Sequence, residues 1–139
     1  MYWASKNKGA FFNDKQIKVH DKEPIYKIVG INTSGASIDL MKRLHPIFEN
    51  HNHTRHFGAN ALEMALFARG LMDIFIDLRG KIRIQDIAAG YLIVKEAGGL
   101  LVDADLNPLD ADLSYSTRVS FIAAANQKIL DEIVSQINQ

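Results

Sequence analysis

The sequence of 139 residues contains no cysteine, only three prolines and a single tryptophan. The lack of cysteine excludes disulfides and thiolate metal sites and is typical of a reducing compartment, so we expect a cytoplasmic protein. The longest apolar run, residues 87–94, is too short to cross a bilayer and is interrupted by Gly90. Lys6 and Lys8, rather than an apolar stretch, follow the first residues, so no secretory signal is predicted.

An excess of charge of either sign is also lacking, because sixteen basic residues balance sixteen acidic ones. Such a chain has no overall positive field to attract nucleic acid or an anionic membrane, and we expect neither as a partner. The composition, 47% hydrophobic and 23% charged, is typical of soluble globular domains. One domain of this length buries roughly two-thirds of its extended surface, which is enough for a core.

Short apolar runs alternate with segments of helical periodicity, which predicts an α/β fold, a layered mixed sheet flanked by helices. Residues 73–79 alternate in polarity, so we predict a strand with one buried face. Pro46 lacks an N–H donor, and the helix that starts near Ser37 should therefore end near Leu44 or restart at Pro46. Further strands are predicted at 26–31, 100–102 and 119–123, a hairpin at 10–19, and further helices at 61–69, 87–97 and 127–137.

Asp86 stands at the start of one predicted helix, in the segment 86–90 (DIAAG). There, one carboxylate oxygen can cap the N–H groups of the first turn while the other points outward. The small side chains that follow allow a ligand or another element to come close. Without further information an ordinary N-cap aspartate is the commoner explanation, and it stays open.

Residues 55–60 (RHFGAN) precede the helix predicted at 61–69. Gly58 and Ala59 can present backbone N–H groups at the helix N-terminus, where phosphate or sulfate binds readily, and Arg55 can add positive charge. Because glycines also precede helices for turn geometry alone, that alternative stays open as well.

Asp77, Arg79 and Arg83 lie on or just beyond the strand face opposite its apolar side. They can contact a polyol, although a solvated strand edge that carries charges explains them equally. His51 and His53 would share a face of an extended segment, but no cysteine or helical histidine pair supports a metal site, and we favour a loop. The chain has no Ser-His-Asp order, glycine-rich phosphate loop or Gly-x-Ser-x-Gly elbow, which disfavours acyl transfer.

Together these segments resemble the carboxyl-terminal half of the inositol monophosphatase superfamily, most closely its archaeal-type fructose-1,6-bisphosphatase/inositol monophosphatases. Residues 86–90 and 95–99 (KEAGG) are similar to the family's carboxyl-terminal signature, whose leading aspartate binds a metal ion. Gln85 departs from the tryptophan that many inositol monophosphatases have there. Three other segments match in order: 8–13 resembles the end of the amino-terminal half, 55–61 the substrate-binding turn, and 75–79 the strand that contacts the sugar or inositol.

The resemblance implies hydrolysis of a small phosphate monoester by in-line attack of a metal-activated water, with Mg²⁺ as cofactor and Asp86 as one of its ligands. Residues 1–25 would be the remnant of an amino-terminal lobe and residues 26–139 the carboxyl-terminal phosphatase lobe. Arg79, near the place where inositol monophosphatases typically offer a glutamate, favours a sugar bisphosphate over inositol monophosphate once the chain is paired with an amino-terminal half. The implied substrate-binding residues are Arg55, Gly58, Ala59, Asn60, Asp77, Arg79 and Arg83.

The family's metal-binding glutamate and its Asp-Pro-(Ile or Leu)-Asp-Gly-Thr signature do not occur, since the prolines follow Glu23, His45 and Asn107. One carboxylate cannot complete the octahedral oxygen shell of Mg²⁺, so we expect weak or no Mg²⁺ binding and no activity from the chain by itself. We expect it to form a homo-oligomer, such as a dimer, or to pair with the missing amino-terminal half. The alternative is a non-catalytic binding or assembly module with the same fold.

Overall fold

The computed structural model describes residues 1–20 and 27–139. The first residue of the strand predicted at 26–31, and the boundary proposed between residues 25 and 26, lie outside the described residues. The division into two lobes therefore stays a prediction. The described part contains two sheets and four helices.

A small antiparallel sheet has the order β1-β2-β3 and opens the chain. The hairpin predicted at 10–19 is confirmed as β2 and β3, whereas β1 was not predicted. Along β1 and β2 the side chains alternate: Tyr2 and Phe12 pack against the core, while Trp3 stacks on Phe11 with ring centroids 4.3 Å apart. The strands are β1 (Tyr2–Ser5), β2 (Gly9–Phe12) and β3 (Lys15–Ile17).

The larger sheet is mixed and has the order β5-β4-β6-β8-β7, which confirms the predicted fold class. β4 pairs in parallel with β5 and β6, whereas β8 runs antiparallel to β6 and β7. The prediction of one buried face for residues 73–79 is wrong, because β6 is the central strand and both Phe75 and Asp77 are fully buried. The strands are β4 (Val29–Ile31), β5 (Thr54–Arg55), β6 (Ile74–Arg83), β7 (Leu100–Val102) and β8 (Arg118–Ala124).

The helices pack in two pairs, α1 on α4 and α2 on α3. Ser37 caps α1 by accepting the Leu40 N–H at 3.2 Å, but the helix continues through Pro46, so the predicted break is wrong. Only one helical hydrogen bond needs the missing N–H, and buried Leu44 and Ile47 hold the helix on the core on both sides of the proline. The helices are α1 (Ile38–Asn50), α2 (Asn60–Ala68), α3 (Ile84–Glu96) and α4 (Gln127–Ile137).

None of the described helices is long and apolar enough to cross a membrane. Glu96, at the end of α3, joins this helix to the small sheet: its carboxylate accepts the Asn7 N–H at 2.7 Å and the Gly9 N–H at 2.8 Å. These backbone hydrogen bonds lower the pKa of Glu96 below its ordinary value. The small sheet is thereby attached to the helix layer that covers the large one.

Gly99, just after α3, is packed too closely to accept a side chain. A Cβ there would lie 2.8 Å from Phe67 Cε1 and 2.8 Å from Val94 Cγ1. We expect Gly99→Ala to lower the free energy of unfolding by about 1–3 kcal/mol, because overpacking forces a rigid core to shift. Urea unfolding measures this, with the exposed α4 substitution Ser135→Ala as a control that changes little. An unchanged midpoint for Gly99→Ala would contradict the close packing.

Candidate functional site

The carboxyl end of β4 lies beside the middle of β6. Their parallel register places Ile31 opposite Ile76, so the chain after Ile31 runs next to Asp77. Asn32 is buried there and its Nδ2 donates to Asn60 Oδ1 at 3.2 Å, which connects the β4 end to the N-terminus of α2. The carboxyl end of β4, the middle of β6 and the N-terminus of α2 thus meet at one place. Sequence reasoning missed Asn32, although it begins the Asn-Thr-Ser-Gly turn after a buried strand.

Asp77 and Arg79 form a buried ion pair on β6. Arg79 Nε donates to Asp77 Oδ1 at 2.9 Å and Nη2 to Oδ2 at 2.6 Å, and this hydrogen bonding raises the pKa of Arg79. The Asp77 side chain is fully buried and that of Arg79 is 12% exposed. A solvated strand edge is therefore the wrong interpretation for this pair, because β6 lies inside the sheet.

Two cations of β6 hold the loop that follows β4. Arg79 Nη1 donates to the Ser34 carbonyl at 2.8 Å, and Lys81 Nζ donates to the Gly35 carbonyl at 2.6 Å. Gly35 has φ +67°, and a Cβ there would lie 2.9 Å from Lys81 Nζ. Lys81 was missed as a site residue, although its spacing of two from Arg79 places both on one strand face.

The turn at residues 55–60 is exposed on its outer side and hydrogen-bonded on its inner side. Gly58 has φ +73°, and the Ala59 N–H predicted to face a ligand donates instead to Glu63 Oε2 at 3.2 Å. The Phe57 N–H donates to Glu63 Oε1 at 3.1 Å. Arg55 is exposed, and its Nη1 donates to the Thr54 carbonyl at 2.8 Å. Sequence reasoning missed Glu63, which lies four residues after the cap residue Ala59, one position beyond the place where a capping box has its carboxylate.

Asp86 is not the N-cap of α3, so that prediction is wrong. β6 runs directly into the helix, Arg83 is the cap residue, and no side chain caps the first turn. The Asp86 carboxylate instead accepts two hydrogen bonds from Arg83, at 2.9 Å from Nε and 3.0 Å from Nη2. The pairing raises the pKa of Arg83, and both side chains are about half exposed. The helix starts earlier than predicted because Ile84 is buried and joins the core.

The structure therefore brings together Asn32, Asn60, Asp77 and Arg79, with Glu63 behind the turn. The model of the inositol monophosphatase family matches residues 1–139. The chain belongs to the inositol monophosphatase family. The resemblance of the sequence to this family is thereby confirmed, and so is the fold expected from it.

Individual members of the inositol monophosphatase family agree with this assignment. The chain is 35% identical to the fructose-1,6-bisphosphatase/inositol-1-monophosphatase of Thermococcus kodakarensis over 96% of its own length and 49% of the relative's. It is 38% identical to the protein of that name from Methanocaldococcus jannaschii, over 96% and 51%. A solved structure from Pyrococcus horikoshii, a hypothetical protein with similarities to inositol-1 monophosphatase, superimposes with a TM-score of 0.81 at 32% identity, over 97% and 51%. The chain thus spans about half the length of the relatives it matches.

Inositol monophosphatases are generally metal-dependent, which raises the question of whether these residues fit a metal ion. In the part of the chain that the structure describes, no group of three or more His, Cys, Asp or Glu side chains is placed to hold one. His51 Nε2 lies 2.9 Å from Gln136 Oε1, and His56 Nδ1 lies 3.2 Å from the Ile31 carbonyl oxygen. Asp86 supplies one carboxylate, whose charge Arg83 balances. The described residues therefore do not fit a complete Mg²⁺ site, which needs about six oxygen ligands.

Proposed function

We propose that this chain is the carboxyl-terminal half of a phosphatase that hydrolyses phosphate monoesters of inositol or fructose. The observation that carries the proposal is the family match along all 139 residues, together with the names of the archaeal relatives. The cytoplasmic setting belongs to the same proposal. So does Mg²⁺, with Asp86 as one ligand and the remaining carboxylates supplied from outside the described residues.

In this proposal the exposed turn at 55–60 binds the phosphate ester, and the neighbouring β6 residues face its sugar or polyol. Support comes from the exposed Arg55 and from Gly58, whose left-handed backbone shapes the N-terminus of α2, where anions bind favourably. Asn60 lies at the same point, joined to Asn32. Arg83 donates one hydrogen bond to each oxygen of Asp86 and would compete with any other cation for this carboxylate.

Binding of inorganic phosphate to the purified chain tests the site without requiring turnover. We expect phosphate to shift the backbone amide signals of Gly58 and Asn60 in a ¹⁵N NMR titration, because these amides lie at the proposed anion site. Chloride at the same ionic strength is the control. The absence of any phosphate-specific shift at the turn would refute the proposed site. An assembly module with the same fold would likewise show no phosphate-specific shift.

A sugar bisphosphate is the substrate class that we propose over inositol monophosphate, because Arg79, Lys81 and Arg83 place three cations along one strand. Three of the five N–H groups of Arg79 donate to Asp77 and the Ser34 carbonyl, which leaves one on Nη1 and one on Nη2 for a second phosphate. We expect Arg79→Lys, which keeps the charge but not the planar fork, to weaken fructose 1,6-bisphosphate binding roughly tenfold. The affinity for inositol 1-phosphate should change little.

Calorimetric titration of both ligands against the wild-type chain and Arg79→Lys measures this preference. The exposed substitution Arg118→Lys, whose side chain donates to the nearby Tyr115 and Thr117 carbonyls, is the matched control. Equal losses for the two ligands would mean that Arg79 only shapes the loop. No loss for either would mean that it contacts neither ligand.

The outer face of the small sheet is the surface that we propose for self-association. Trp3 is 40% exposed and stacks on Phe11, and Met1 is 81% exposed. We expect concentration-dependent association, because exposed apolar patches of this kind are typical of interaction surfaces. Trp3 is the only tryptophan, so a blue shift of its fluorescence reports burial of this face directly. A monomer at high concentration in sedimentation equilibrium would contradict the expectation. Trp3→Lys should weaken the association, and the control is Leu113→Lys, at a side chain that is 71% exposed on another part of the surface.

A further inference from the structure

Glu63 is a carboxylate with no exposed surface, placed under the exposed turn at the N-terminus of α2. Burying a carboxylate is costly unless hydrogen bonds or a cation stabilise the charge. Its two oxygens accept the Phe57 and Ala59 N–H groups, at 3.1 and 3.2 Å. Arg79 is near enough for the charge of Glu63 to contribute to its raised pKa, although the hydrogen bond to Asp77 contributes more. A glutamate in this position is thus stabilised by the turn itself.

The two N–H groups that donate to Glu63 lie on either side of Gly58, the residue with φ +73°. The carboxylate therefore fixes the backbone before and after the one left-handed residue of the turn. Two further contacts fix the ends of the same segment, His56 Nδ1 to the Ile31 carbonyl at 3.2 Å and Asn32 Nδ2 to Asn60 Oδ1 at 3.2 Å. The side chains of Glu63, His56 and Asn32 thus hold the turn against the sheet.

We propose that Glu63 is a positioning residue, which pre-organises the turn at residues 55–60 for a phosphate group. The inference rests on the proposed function, because that function places the phosphate at this turn. A binding loop already held in its bound conformation loses less entropy when the ligand arrives, and the ligand binds more tightly. The opposite role would be internal competition, with the carboxylate occupying N–H groups that phosphate would use. Its complete burial favours positioning, since a ligand approaches the turn from the exposed side.

The test compares Glu63→Ala and Glu63→Gln with the wild-type chain, using inorganic phosphate as the probe and the Gly58 amide shift as the readout. We expect Glu63→Ala to raise the dissociation constant at least tenfold, which corresponds to about 1.4 kcal/mol. Glu63→Gln keeps one acceptor oxygen and should lose less phosphate affinity. Amide hydrogen exchange of Phe57 and Ala59 should accelerate in the same order, because these are the N–H groups that Glu63 accepts.

Gly99→Ala is the control for a loss of stability in general, because the nearest atoms that it would contact belong to Phe67, Val94 and Val19, away from the turn. It should leave phosphate affinity unchanged. A loss of phosphate affinity in Gly99→Ala equal to that in Glu63→Ala would overturn the proposal. Unchanged or tighter phosphate binding by the two Glu63 variants would also overturn it, and tighter binding would indicate internal competition. If Glu63→Ala does not fold, Glu63→Gln decides alone.

Failure of the wild-type chain to bind phosphate would be a different result and would overturn the proposed function. In that case unchanged exchange of the Phe57 and Ala59 amides in the variants would separately overturn the positioning role. Faster exchange confined to these two amides would support the conclusion that Glu63 fixes the backbone of the turn.

Discussion

The purified chain, assayed by itself, is expected to release no phosphate in a Mg²⁺-dependent manner from inositol 1-phosphate or fructose 1,6-bisphosphate. Metal-assisted hydrolysis of a phosphate monoester needs carboxylates that hold the ions, activate water and stabilise the leaving oxygen. Within the described residues no cluster of three or more potential ligands exists, and Asp86 is bound by Arg83. The relatives that carry the activity in their names are about twice as long. The missing ligands would lie in the half that this chain does not match.

The assay needs a positive control and a variant that identifies the source of any residual activity. The full-length Methanocaldococcus jannaschii relative, assayed with the same substrates, sets the scale of turnover. Asp86→Asn removes the one carboxylate that the family resemblance assigns to the metal. Turnover by this chain close to that of the relative, and lost in Asp86→Asn, would show that the amino-terminal half is not required. Activity that survives Asp86→Asn would point to a contaminant.

Local sequence signals predicted the helices and strands that depend on nearby residues. The helix at 127–137 was predicted with its observed bounds because apolar residues recur at helical spacing, and in the structure Asn126 caps it by accepting the Ile129 N–H. The helix predicted at 61–69 is observed at Asn60–Ala68, and Gly70, which has φ +77°, follows its cap residue Arg69. The family resemblance was carried by such short segments as well, and the site roles that it implies stay predictions.

The errors arose where tertiary packing outweighs local preference. Pro46 would end an isolated helix, but the core contacts of Leu44 and Ile47 keep α1 continuous. Strand β6 alternates in polarity like a half-exposed strand, yet its polar face is buried because Asp77 pairs with Arg79 inside the fold. Glu63 could not be assigned from the sequence, since its partners are backbone N–H groups that no side-chain pattern reports.

Arg79→Ala is expected to lower the free energy of unfolding by about 3–5 kcal/mol, because it leaves the fully buried Asp77 carboxylate without its cation. A loss of that size is a large part of the 5–15 kcal/mol, roughly, that stabilises a typical domain. The substitution also removes the hydrogen bond to the Ser34 carbonyl. Any effect of Arg79→Ala on a substrate would therefore be mixed with partial unfolding, which is why Arg79→Lys is the better probe of recognition.

Lys81→Ala separates the two consequences of losing Arg79. Lys81 also donates to the loop after β4, through the Gly35 carbonyl, but it is exposed and pairs with no buried carboxylate among the described residues. Its removal should therefore cost about 1 kcal/mol. Adding Asp77→Asn to Arg79→Ala removes the unpaired charge and should recover part of the lost stability, a coupling that a double-mutant cycle in urea measures. Equal losses for Lys81→Ala and Arg79→Ala would assign the effect to the loop. A double variant no more stable than Arg79→Ala would contradict the buried charge as its cause.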